Sequence, residues 1–270
     1  MKEGIFKESG PMISDKSDSK GFLKRFDGRA DAYSKFRPRY PIEVLQVLEK
    51  EISFNQGRIV ADVGSGTGIL SELFLENGNA VYCVEPNEGM RRAAEKSLDR
   101  FTPLFISVEG TAEMTNLKDA SIDLIVVGQA LHWFDIEKTR QEFRRILAGE
   151  GHVAIIYNLR KEESEAEKAY EALIQKFGKD RGVIPEVDDD YIKKFFMNSE
   201  FRKSVIPNSQ TLGREGMLGR LASTSYMPSQ GSQVWADVEV EVKRILDRFG
   251  CSGQVVLHYD TTMYLGRISF

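Results

Sequence analysis

Between Gly57 and Asn158 short apolar runs rich in β-branched residues alternate with longer segments whose apolar residues recur at helical spacing. RIVADV, NAVYCVE, PLFISVE and SIDLIVVG read as four strands, and HVAIIYN as a fifth. ILSELFLENG, NEGMRRAAEKSLDRF and IEKTRQEFRRIL read as helices, the first stopped by Gly78 and the second capped by Asn87. Strands this apolar need cover on both faces, which parallel strands joined by crossover helices provide. The pattern predicts an α/β fold with a doubly wound, mostly parallel sheet over residues 57–158, each strand followed by its own helix.

Outside that stretch the pattern changes. Residues 1–20 are polar, rich in Ser, Asp and Lys, and read as a flexible tail without the apolar centre of a signal peptide. Residues 21–56 read as an N-terminal helical cap, two helices broken between Pro38 and Pro41, with Pro41 suited to the first turn of the second. Residues 159–270 read as insertions together with the last strands of the sheet. They contain a charged helix in KEESEAEKAYEALIQKF, a polar connection around Pro185 and a helix in DDDYIKKFFMN. A sixth strand in FRKSVIPNSQTL, a long helix in VWADVEVEVKRILDRFG and a final strand in QVVLHYDTTMYLGRIS follow.

Composition limits the partners. A net charge of −4 lacks the broad positive field that nucleic-acid binding draws on, so no nucleic acid is expected. No apolar stretch has the length of a membrane span, so no membrane is expected either, and the reading is a cytoplasmic protein, monomer or homodimer. Cys83 and Cys251 lie far apart and form no cluster with the three histidines, so no metal site is expected.

The first strand runs into VADVGSGTG, which places Gly64, Gly66 and Gly68 on alternate positions beside Asp62. Such a turn lets a ligand approach bare backbone at the carboxyl end of the sheet. The dinucleotide fingerprint needs its third glycine at position 69, where this chain has Ile69, and no P-loop lysine follows. Asp62 would repel a pyrophosphate and suits a ligand with an ammonium group. Glu85 ends the second strand about twenty residues on, where a carboxylate can accept hydrogen bonds from both hydroxyls of a ribose. S-adenosylmethionine, a nucleoside joined to a cationic amino acid, satisfies both acids.

DVGSGTG, then VEP, then GTAEMTNLKDASIDLIVVGQALHWFD resemble the class I S-adenosylmethionine-dependent methyltransferases, most closely the small-molecule group that includes trans-aconitate methyltransferase. FDGRADAYSKFRPRYP is similar to that group's N-terminal segment; beyond Asn158 the likeness is weak. The resemblance implies a Rossmann-like, seven-stranded sheet whose last strand is antiparallel. It places Asp62, Gly64, Ser65, Gly66 and Gly68 around the methionine part, Glu85 on the ribose with Pro86 and Met90 on the cofactor side, and Ala112 and Glu113 at the adenine. Gln129 would approach the methionyl portion, and Tyr33 or Arg37 would close over it from the cap.

The expected function is transfer of a methyl group to a small-molecule acceptor, the atom methylated left open and a carboxylic acid among the candidates through Arg37 or Arg220. His132 and Trp133, in GQALHWFD, follow the fourth strand at the ligand-collecting edge; with Tyr157 and Tyr226 they are expected at the substrate, His132 as a candidate for removing a proton. A nicotinamide-dinucleotide oxidoreductase and a non-catalytic S-adenosylmethionine-binding protein remain the alternatives.

Overall fold

The computed structural model describes residues 30–179, 187–197, 199–224 and 226–268. The expected tail, the first part of the cap and the connection around Pro185 lie outside the described residues. Two cap helices come first, α1 (Ala30–Phe36) and α2 (Glu43–Ile52), with Pro41 just before the latter and its carbonyl accepting the Val44 N–H at 3.1 Å. The core follows as β1 (Val60–Val63), α3 (Ile69–Glu76), β2 (Val81–Val84), α4 (Glu88–Leu98), β3 (Phe105–Val108), β4 (Ile122–Gly128), α5 (Ile136–Ile146) and β5 (Leu147–Arg160). The rest is α6 (Glu165–Phe177), α7 (Asp189–Phe196), β6 (Phe201–Leu212), α8 (Arg214–Ala222), α9 (Gln233–Phe249) and β7 (Val255–Gly266).

The strands form one seven-stranded sheet in the order β3-β2-β1-β4-β5-β7-β6. β1 to β5 are parallel to one another, while β7 runs antiparallel between β5 and β6. The order reverses beside β1, so the carboxyl ends of β1 and β4 flank the crevice where a doubly wound sheet binds its ligand.

Alternation along the strands divides the core. Val60, Leu124, Val126 and Ile156 face Leu48, Leu70, Phe74 and Leu98, whereas Ala61, Ile125, Val127 and Ile155 face Phe143, Ile146, Phe195 and Phe196. A one-residue slip in any central strand would exchange these faces. A third cluster joins Tyr170 and Ile174 of α6, Met217 and Leu221 of α8, and Trp235 and Val242 of α9 to Leu257 and Tyr259 of β7.

Two expectations change. No helix joins β3 to β4. That stretch is an irregular loop held by Leu117 in the core and by Glu142, whose Oε1 accepts the N–H and hydroxyl of Thr115 at 2.7 and 2.5 Å. A helix absent from the sequence reading, α8, forms although it contains Gly216 and Gly219. Burial of Met217, Leu218 and Leu221 outweighs the weak helix propensity of the glycines. Among the described residues no helix is long and apolar enough to cross a membrane.

Glu167 ties the third cluster to the sheet. It is fully buried, completes a capping box with Ser164, and accepts the backbone N–H of His258 on β7 at 2.8 Å. Burial alone would push its carboxyl up, but the N–H groups of Ser164 and His258 and the His258 ring outweigh it and hold the pKa at about 2. A carboxyl held below its ordinary value contributes stability above that value and loses it as pH falls toward the folded pKa. Glu167→Gln is expected to cost about 1–3 kcal/mol at pH 7. The difference from the parent protein should shrink as pH falls from about 4.5 to about 2, as denaturant titration at several pH values would read.

Candidate functional site

β1 ends at Val63 and the chain turns into α3 through five residues, with Gly64, Gly66 and Gly68 at φ of 71°, 57° and 80°. A Cβ at Gly68 would strike Leu98, so this glycine lets α3 pack on α4. A Cβ at Gly66 would meet nothing within 4 Å; there the backbone is left bare toward open space. The first position closes packing and the second admits a ligand.

Asp62 lies beneath that turn, 1% exposed. Its Oδ2 accepts the Ser71 hydroxyl at 2.6 Å, and the Ser71 oxygen in turn faces the Cys83 thiol at 3.1 Å. Among the described residues its Oδ1 has no hydrogen-bond partner. Burial pushes the carboxyl up to about 7, opposed by the Ser71 hydrogen bond and assisted by the charge of Glu85. A buried oxygen that no described residue satisfies, on the wall of a cleft, is a site prepared for a donor from outside.

Glu85 closes β2 and is also buried. Oε2 accepts the Gly66 N–H at 2.9 Å and Oε1 the Asn87 N–H at 2.8 Å. Burial raises its pKa, against which these two N–H groups and the charge of Arg91 act. Each carboxylate oxygen keeps a lone pair for a further donor. Arg91 in the first turn of α4 is largely buried where its neighbour Arg92 is exposed; it donates to the carbonyls of Glu85 and Pro86 at 2.9 Å and fixes the loop that carries the carboxylate.

The cleft beside Asp62 is lined from four directions. The glycine turn supplies Gly64, Ser65 and Gly66; the end of β4 supplies Gly128 and Gln129; the cap supplies Tyr33, Arg37 and Tyr40; β5 and α8 supply Asn158 and Arg220. Gln129 holds a left-handed φ of 58°, with Nε2 donating to the Asn158 carbonyl at 3.2 Å. Non-glycine residues keep that conformation where the surroundings enforce it, and such residues cluster at binding sites. Arg37 packs over the Tyr33 ring at 4.6 Å and donates to the hydroxyl and carbonyl of Ser223 at 3.1 and 3.0 Å. Burial and the neighbouring Arg220 charge lower its pKa. Tyr40, Ser71, Asn158 and Ser223 are members of this arrangement that the sequence reading missed.

The other expected positions fall elsewhere. Met90 and Ala112 are buried, and Pro86 is half-buried beside Glu85. The Glu113 carboxylate accepts the Asp135 N–H at 2.9 Å. His132, Trp133 and Tyr157 come together at the ends of β4 and β5 without lining the cleft: the His132 ring lies 4.3 Å from that of Trp133, and its Nδ1 3.2 Å from the Tyr157 hydroxyl. Burial lowers the His132 pKa to about 4, so its ring is neutral at physiological pH. Tyr226 packs against the third hydrophobic cluster, and its carbonyl accepts the Lys179 N–H at 2.8 Å.

Comparison with known proteins points to methyltransferases. Residues 61–155 match the family model described as a methyltransferase domain. The chain is 32% identical over 224 residues to an uncharacterized methyltransferase of Mycobacterium tuberculosis, covering 82% of this chain and 85% of that protein. It is 28% identical over 233 residues to a methyltransferase candidate of Dictyostelium discoideum, covering 83% and 86%. Among solved structures, a type II methyltransferase candidate from Anaeromyxobacter dehalogenans shares the fold with a TM-score of 0.65 and 22% identity, over 86% of this chain and 98% of the other.

The Asp62 carboxyl makes a signed prediction. A group whose folded pKa of about 7 lies above its ordinary 3.8 binds more protons folded than unfolded, so the stability of the ligand-free protein falls as pH rises between those values. Asp62→Asn keeps an acceptor for Ser71 and removes the ionisation. It is expected to stabilise the ligand-free protein by about 2–4 kcal/mol at pH 8, a gain that fades toward pH 4; denaturant titration across that range checks it.

Proposed function

We propose, since this chain belongs to the methyltransferase family, that it moves the methyl group of S-adenosylmethionine to a small-molecule acceptor. The observation that carries the cofactor is the unpartnered Oδ1 of Asp62 on a cleft wall beside bare backbone at Gly66. An ammonium group fits that oxygen, and no dinucleotide phosphate does. The residues fit the rest of the molecule as well. Glu85 has lone pairs for the two ribose hydroxyls, Met90 and Ala112 give buried apolar surface toward the adenine, and Arg37 faces the cleft as a partner for the methionyl carboxylate.

When bound, the cofactor supplies an activated methyl group on a sulfonium. The chain's own work is then to position and to exclude water. Gln129 and Gly128 at the end of β4 and Tyr40 from the cap wall the cleft together with the glycine turn. Tyr40 is buried enough that its hydroxyl is held well above its ordinary pKa by desolvation, so it stays protonated and donates or accepts a hydrogen bond without ionising. For an acceptor that arrives protonated and extends past the cleft to the ends of β4 and β5, the neutral ring of His132 beside Tyr157 and Trp133 is the candidate proton acceptor. The acidic net charge favours a small molecule over a nucleic-acid polymer.

Calorimetry with S-adenosylhomocysteine is expected to show one site per chain, and NADH no binding. Glu85→Ala should weaken that binding by about ten- to a hundredfold, since it removes charge-assisted hydrogen bonds and also frees the Gly66 N–H. Unchanged affinity would remove Glu85 from the ribose. Incubation with methyl-labelled S-adenosylmethionine and a mixture of small metabolites should place label in the low-molecular-mass fraction; efficient labelling of tRNA or protein instead would overturn the acceptor class.

A further inference from the structure

Cys83 is buried in the first hydrophobic cluster, but its thiol does more than fill space there. On the parallel pair β1–β2 it stands in register with Asp62, and Ser71 of α3 spans the two. The Cys83 thiol donates to the Ser71 oxygen at 3.1 Å, and the Ser71 hydroxyl donates to Asp62 Oδ2 at 2.6 Å. None of the three residues is more than 2% exposed, so bulk water does not compete for either link. The proton count gives the chain one direction. A serine hydroxyl has a single proton, and a carboxylate oxygen is a stronger acceptor than a thiol sulfur, so that proton goes to Asp62. The Ser71 lone pairs are then left for the thiol. Its own proton stays in place, because burial, assisted by the Asp62 charge, pushes Cys83 far above the ordinary thiol pKa. Packing alone needs no donor at this position.

We propose that Cys83 is a positioning residue for the cofactor: acting through the Ser71 hydroxyl, its thiol biases Asp62 toward the ionised form that an ammonium group requires, and keeps Oδ1 as the oxygen left for that group. The ligand in this inference rests on the methyltransferase reading; the chain of three side chains rests on geometry. Hydrogen bonds in a buried chain polarise one another, so a donor on the Ser71 oxygen strengthens the bond that Ser71 gives. It also opposes rotation of the hydroxyl toward the carbonyl four residues earlier, the usual alternative for a serine in a helix. Two other titratable groups face Asp62: Glu85 at the end of β2, whose charge opposes ionisation, and Tyr40 of the cap, which stays protonated. Against burial and the Glu85 charge, hydrogen bonding from Ser71 is what favours the carboxylate, and Cys83 stands behind it.

The test reads the thiol and the ligand separately. In Cys251→Ser, a change at the exposed cysteine, Cys83 carries the remaining S–H group, whose infrared stretching band lies where other protein groups scarcely absorb. That band should move to lower frequency as pH rises through about 7 in the ligand-free protein, because an ionised Asp62 makes the Ser71 oxygen a better acceptor. S-adenosylhomocysteine added near pH 6.5 should move it the same way, and Asp62→Asn should hold it still. Calorimetry across pH then reads the consequence for binding. Cys83→Ala should weaken S-adenosylhomocysteine by about two- to fivefold near pH 6.5 and by less at about pH 8, which moves the rise of affinity to higher pH. Cys83→Ser, with a stronger donor, should move that rise to lower pH. A band that ignores both pH and ligand, affinity losses equal at every pH, or the same direction of shift in Cys83→Ala and Cys83→Ser would overturn the proposal and leave Cys83 as core packing. The band needs no variant at Cys83 to fold, and its pH response needs no ligand. Failure of the parent protein to bind S-adenosylhomocysteine would therefore strike the methyltransferase reading, while the pH response still decides the link from Cys83 to Asp62.

Discussion

A carboxylate buried beneath a glycine turn, with one oxygen satisfied and the other not, is the constraint around which the site is arranged. The sheet fixes Asp62 between β2 and β4 by parallel pairing on both sides, so the side chain cannot move out to water. Ser71 from α3 stabilises the ionised form without completing it. The result is a group with its pKa near 7, close to balance between charged and neutral. A cation entering the cleft tips that balance, and the interaction it gains is strong because the Asp62 carboxyl is buried. Desolvation of the carboxylate is met by the fold in advance, which is how preorganised sites convert folding stability into binding.

The opposite wall carries the opposite sign and comes from outside the doubly wound core. α1 brings Tyr33 and, just past its end, Arg37; α8 brings Arg220. These two helices are fastened to each other before any ligand arrives. Phe36 lies directly against Gly219, where a side chain would collide with its ring, and Lys35 pairs with Glu215 at 2.7 Å. Arg37 donates to Ser223, and Gln210 of β6 donates to the Phe36 carbonyl at 2.9 Å. The core therefore supplies the acids for a cofactor, and the joined cap and insertion supply the cations.

What the sequence made legible was local. Strands buried on both faces announce themselves by unbroken β-branched runs, and the turn after β1 carries its acid and glycines within seven residues. Glu85 was found by its offset from that turn. The helix α8 was hidden because its two glycines weaken propensity, and because it folds on contacts to Phe36 and the third cluster, which lie far away in sequence. The part Arg91 plays was not legible, since its partners are carbonyls five and six residues earlier, outside the helix that carries it. The missing crossover helix after β3 has a similar cause: Thr115 is held by Glu142 of α5, so a tertiary contact decides the conformation of a short connection. His132 and Tyr157 meet because β4 and β5 are neighbours, which no motif stated.

Completion of Asp62 by an ammonium-bearing cofactor is open to proton-linked calorimetry. S-adenosylhomocysteine binding measured near pH 6.5 in buffers of different ionisation enthalpy should release protons, because the ammonium lowers a carboxyl pKa that stands at about 7 in the free protein. Affinity should rise with pH through that region and level off above it, and Asp62→Asn should remove the linkage. Binding with no proton release and no pH dependence, or the same linkage in the variant, would contradict the claim.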